Sequence, residues 1–161
     1  MIFSPQSKVW IYQSNRAFTA KEVAEIEQKL NEFTTQWKAH GHQLKAKAEI
    51  PYNFFIVFIV DQDQANTTGC SIDASVRVIK EIEQTYNVDL FNRFNMAYKL
   101  NDEVHVTSKE DFETLITIKQ IKEDTIVFNN LVQTLADYET KWEVPLVESW
   151  HKMIFAEQLN A

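Results

Sequence analysis

Phe54-Phe55-Ile56-Val57-Phe58-Ile59-Val60 is an unbroken apolar run, dense in β-branched and aromatic side chains. A run of that length and composition reads as a strand buried on both faces. Upstream, Leu44 to Ile50 alternates apolar with polar residues before Pro51-Tyr52-Asn53 interrupts it, so the two runs form a hairpin with the second strand central. Downstream, Thr68-Gly69-Cys70-Ser71-Ile72-Asp73 leads into an amphipathic helix expected from near Ala74, with Ser71 or Asp73 as its N-cap.

The flanking segments extend the pattern. Lys8 to Gln13 is β-rich and ends in the turn-prone Ser14-Asn15-Arg16. Thr19 with Glu22 makes a capping box, and Val23, Ile26, Leu30, Phe33 and Trp37 recur at helical spacing, with Gly41 as the expected C-terminal cap. Val76, Ile79, Ile82 and Tyr86 mark a second helix fading at Asn87, and Phe94 to Leu100 is the next strand. The order β-α-β-β-α-β is that of the ferredoxin-like two-layer sandwich, an α+β fold. Residues 1–100 are the expected core of a single domain spanning 1–161, and 101–161 a C-terminal α/β extension. In the extension, Val104-His105-Val106 reads as a short strand, Ser108 and Asp111 open a third helix, and Thr125 to Phe128 is a last strand. From Ala136 onward the chain reads as an irregular tail pinned by Trp142 and Trp150 around Pro145 and ending in a short helix.

Composition narrows the function classes. With 161 residues, 45% of them hydrophobic, and a net charge of −7, the chain supports one substantial core and lacks the basic footprint that nucleic acid or an anionic membrane requires. A single cysteine rules out an internal disulfide, and no basic n-region with a long apolar stretch opens the sequence, so a cytoplasmic location is expected.

In the expected topology one end of the sheet collects His40, His42, Asp61, Asp63, Cys70, Ser71 and Asp73. Cys70 at a helix start is a nucleophile if His40 or His42 acts as its base, with Asp73 beside it and helix amides stabilising developing charge. The alternative is that Cys70 is a small core residue and Ser71 and Asp73 are caps. Imidazole and carboxylate together also suit a divalent metal, though paired histidines around a glycine are more often solvated; no metal is assigned. Asp61, Ser71, His42 and Asn129 are the candidate binding residues, Asn129 because its amide, beside Phe128, can meet an incoming backbone. The aromatics of the last quarter suit either a stapled tail or a surface for a protein partner or a second copy of the chain.

No phosphate-binding loop exists, because Gly41 and Gly69 are far apart and neither precedes a lysine; the serine-hydrolase elbow is also missing. Val9-Trp10-Ile11-Tyr12-Gln13-Ser14-Asn15-Arg16, Ala39-His40-Gly41, Gly69-Cys70-Ser71-Ile72-Asp73, Thr125 to Val132 and Ser149-Trp150-His151 resemble a family of small uncharacterised bacterial proteins often labelled "ABC transporter ATPase". That resemblance implies no site residue, and its label conflicts with the missing phosphate loop. Ser108 to Phe128 resembles the helix-plus-strand piece of GYF-like peptide-binding modules. The expected function is therefore a binding or interaction domain without ATPase activity, for an unidentified small molecule or protein. The alternative is a thiol-dependent or metal-assisted enzyme using Cys70 and His40, its cofactor unknown.

Overall fold

The computed structural model describes residues 2–62 and 67–161, so Asp63 lies outside the described residues. Two compact units form, one of Met1–Phe91 with Gln133–Tyr138 and the other of Asn92–Val132 with Glu139–Ala161. The first boundary falls before the expected strand at 94–100, and six residues from the expected extension, Gln133–Tyr138, return to the first unit.

In the first unit, β1 (Lys8–Gln13) leads to α1 (Ala20–Gln36), whose Thr19 and Glu22 form the expected capping box. Its apolar stripe is covered by the sheet, burying Ile26 and Leu30 completely. The helix stops at Gln36, and Gly41 caps nothing. Instead β2 (Lys38–Ala39) and β3 (His42–Gln43) make a tight hairpin whose central residues His40 and Gly41 both have positive φ, 52° and 77°. Two left-handed central residues define the turn type that suits the right-handed twist of a hairpin. β4 (Lys45–Glu49) and β5 (Phe55–Asp61) follow, and every residue of β5 is buried.

The sheet order is β1-β5-β4, antiparallel throughout, with β5 central as its composition requires. These three strands occupy the places of the first, third and second strands of the expected sandwich. The fourth place is different. Along the outer edge of β1 runs the segment 133–135: Lys8 bridges Thr134, Val9 N–H donates to Gln133 O at 3.0 Å, and Leu135 N–H donates to Ser7 O at 2.8 Å. The α+β class holds, and the four-stranded ferredoxin-like sheet is replaced by this arrangement.

α2 (Gly69–Tyr86) completes the first unit, burying Ile79 and Ile82 and ending at a left-handed Asn87. It starts five residues earlier than its apolar pattern suggests, because Thr68 is the N-cap and Ser71 its reciprocal partner. Arg16 is not a free surface cation. Its guanidinium meets Glu22 at 2.8 and 2.9 Å and donates to Tyr86 O, tying the start of α1 to the end of α2. That pairing, with the Thr19 amide, holds the Glu22 carboxyl down to about 2.

The second unit is built on β6 (Asn95–Leu100) and β7 (Glu103–Ser108), joined by Asn101-Asp102 with φ of 53° and 65°, a second hairpin turn of the same kind. α3 (Lys109–Thr117) is capped by Ser108, and β8 (Ile126–Phe128) pairs with β6. The segment expected to be irregular holds α4 (Leu135–Lys141) and β9 (Glu143–Pro145), and the short helix expected at its end is present as α5 (His151–Ile154) and α6 (Ala156–Leu159). β9 completes an antiparallel sheet of order β7-β6-β8-β9. Its core is Met96, Tyr98, Phe112, Ile116, Ile121, Val127, Leu146 and Phe155. Thus Leu146 and Phe155 from the supposed tail are central to the packing. Among the described residues, no helix is long and apolar enough to cross a membrane.

Candidate functional site

At one end of the first unit's sheet, Lys45 of β4 faces Asp61 of β5, and α1 runs out toward the hairpin at residues 38–43. The start of α2 reaches the same end, since the buried Trp37 indole donates to Ser71 O at 2.9 Å. The topology therefore brings the two predicted loops together. Their side chains make no hydrogen bond to one another among the described residues. Cys70, the second residue of α2, is exposed, as are Asp73 and both His40 and His42. Cys70 makes no hydrogen bond to either histidine among the described residues, and no group of three or more metal-ligating side chains assembles among them.

The other candidates at this end have structural duties. The Ser71 hydroxyl accepts from Thr68 N–H at 2.7 Å, while Ser71 N–H donates back to the Thr68 hydroxyl at 3.2 Å. Both groups are spent on the orphan amides of the helix start, which is the physical reason Ser and Thr recur there. Asp61 is buried but not bare: it accepts from Ser4 N–H at 3.1 Å and lies 3.5 Å from Lys45 Nζ. Asn129, in the second unit, folds back to accept Leu131 N–H at 3.1 Å, and its own N–H donates to Trp142 O. Its amide oxygen is thus engaged in a local turn rather than offered to an incoming chain.

The residues that stand out chemically lie in the second unit, in the Ser149-Trp150-His151 stretch. His151 is 2% exposed, and its Nδ1 lies 2.7 Å from Ser149 Oγ. Trp150 stacks on the imidazole at 3.8 Å between ring centres, and Phe112 and Phe155 flank it at 6.2 and 6.5 Å. Burial among these rings pushes the imidazole down to about 4, so it is neutral at physiological pH. Phe112 also meets Tyr98 edge-on, and burial raises that phenol above its ordinary value. Periodicity gives no warning of this burial, because Ser149 and His151 are polar residues beside a proline-containing segment. The only sequence signal was the serine-aromatic-histidine spacing.

Beside this cluster, Val147, Met153, Ala156 and Leu159 line a groove of about 310 Å³ rimmed by Glu123, Lys152 and Asn160. Met153 is 84% exposed and Ile154 51%, so apolar surface continues outside it. The arrangement has a place for an apolar group and two opposite charges at its rim, and among the described residues that line it none is a Ser, Cys or His. Comparison of the chain with protein-family models, with curated proteins and with solved structures finds no match.

Proposed function

We propose that the chain is a binding module that receives an apolar side chain of a protein partner in the groove of the second unit, and that it has no ATPase activity. The groove itself carries the reading: four apolar side chains face it, and its rim offers one carboxylate and one ammonium to orient an incoming peptide. Enclosed apolar contact supplies affinity, and rim charges supply register more than strength. The thiol-enzyme reading has less support: Cys70 is exposed, as that reading needs and the core-residue alternative does not, but no hydrogen bond joins it to His40 or His42 among the described residues.

In the same reading the first unit is a ferredoxin-like core whose fourth strand has been exchanged for the segment at 133–135, and the protein works in the cytoplasm of a bacterium, as the resemblance to the small bacterial family implies. The test is a titration followed by amide NMR, using capped tripeptides with a central Leu, Phe or Trp. Saturable shifts at Met153, Ala156 and Leu159, lost in Ala156→Glu, are expected. No shift at millimolar peptide, or stoichiometric magnesium-dependent ATP binding by calorimetry, would defeat the reading.

A further inference from the structure

A sheet edge exposes unpaired backbone donors and acceptors, and proteins blunt such edges with Pro, Lys, short strands or a covering segment. Three of the four edges of the two larger sheets are treated in that way. β1 is covered by the bridge to Thr134, and β9 is three residues long and contains Pro145. β4 bears Lys45 and Lys47, both ammonium groups lying over the Phe3 ring at 5.1 and 4.9 Å, and Lys45 also donates to Ile2 O.

β7 has none of these devices. It is six residues, Glu-Val-His-Val-Thr-Ser, without Pro or Lys, and its register with β6 runs unbroken from Asn95↔Ser108 to Leu100↔Glu103. With Leu100 and Glu103 in register across a two-residue turn of positive φ, the pattern of such hairpins makes residues 103, 105 and 107 the ones that bond to β6. Val104 and Val106 therefore turn N–H and C=O outward, and Ser108 turns its N–H outward. Among the described residues these outward groups have no partner.

We infer that the β7 edge pairs with β7 of a second copy of this chain, antiparallel about a two-fold axis through Val106. This register is the one that sets outward groups against outward groups over the longest span. Val106 exchanges two bonds with its counterpart, and Ser108 N–H of each copy donates to Val104 O of the other, about four backbone bonds in all. It also sets Glu103 opposite Lys109, so each end of the seam carries opposite charges. His105 stands across from Thr107, whose hydroxyl is shielded from solvent and unpartnered among the described residues. The two sheets become one continuous sheet, the isologous arrangement that a self-complementary strand produces.

The inference is independent of the groove and is tested on the full chain by sedimentation from micromolar to millimolar concentration. A reversible dimer is expected. Val106→Pro removes an outward N–H while leaving the bonds to β6, so it should yield a folded monomer. Lys109→Glu should weaken association about tenfold, since symmetry counts the change twice. Adding Glu103→Lys to it should restore the wild-type constant, a result that holds even if Val106→Pro fails to fold. A wild type monomeric throughout, a dimer indifferent to the charge reversal, or a monomer whose Val104, Val106 and Ser108 amides respond only to a foreign extended peptide would overturn it.

Discussion

The two units dispose of their polar side chains in opposite ways. In the first, groups with chemical potential are outside or engaged in holding the chain: Cys70, His40 and Asp73 are exposed, Ser71 and Thr68 cap α2, and Arg16 with Glu22 ties two helix ends. In the second, a histidine and a serine lie inside an aromatic core. The strongly shifted group of the first unit, Glu22, is held by an ion pair, whereas that of the second, His151, is shifted by burial. A helix start concentrates Ser, Thr, Asp and Cys for capping reasons alone, so residue type at such a site says little about reactivity.

The comparison breaks most directly at the two cores. Phe58 of the first unit and Phe155 of the second are both completely buried, Phe155 with its ring 4.7 Å from that of Phe112. Substituting either by Ala should cost about 3–5 kcal/mol in denaturant unfolding. If the last residues were only a loose appendage, Phe155→Ala would cost far less than Phe58→Ala, and the equivalence of the two units as packed cores would fall.

Acid sharpens the contrast. His151 binds a proton near 6.5 when unfolded and near 4 when folded, so between those values the unfolded chain holds more protons and stability rises with pH. Its contribution is complete above 6.5 and is lost as pH falls toward 4, a total of about 3 kcal/mol. Denaturation midpoints at pH 7 and pH 5, read from indole fluorescence, should separate in wild type and draw together in His151→Gln. Carboxylates barely titrate in that window, and the Arg16-supported Glu22 matters only in stronger acid. An equal pH dependence in the variant would mean that the buried imidazole is not its source.

Much of the fold is legible because its signals are local. Phe54 to Val60 specifies a central strand by apolarity, Thr19 with Glu22 marks a helix start, and Ser108 marks another. The sheet assignment of Phe94 to Leu100 is not local. The same β-α-β-β-α-β string serves whether the last strand closes the first sheet or begins another. Here the left-handed pair Asn101-Asp102 gives that strand a hairpin partner, while residues 133–135 reach the edge of β1 from far along the chain. The site was less legible still. His40 and Cys70 are brought to one end of a sheet, yet topology fixes backbones to several ångströms, whereas catalysis needs hydrogen-bond contact. Burial of His151 depends on Phe112, 39 residues earlier in the chain, and no periodicity in its own segment encodes that.

Smaller effects separate the two helix starts. Thr19→Ala and Thr68→Ala each remove a reciprocal cap and should each cost about 1 kcal/mol. The Thr68 change removes the hydroxyl that Ser71 N–H donates to, but Ser71 O would still receive the Trp37 indole. A much larger loss at Thr68, seen in thermal unfolding, would show that this end of the first unit depends on the cap beyond its own helix and would revive it as a structured site.

The smallest effect is expected at Cys70. An exposed thiol that touches no histidine has little packing to lose, so Cys70→Ala should shift stability by less than about 0.5 kcal/mol. The folded protein should alkylate without unfolding, and the pH dependence of that reaction separates the readings. A rate that rises with pH as a free thiol's does, unchanged in His40→Ala, marks a solvated cysteine. A midpoint well below a free thiol's, abolished by His40→Ala, would mean the histidine activates the thiol after all. Reactive chemistry would then belong to the first unit, and the contrast between its exposed or engaged polar groups and the buried imidazole of the second would have to be redrawn.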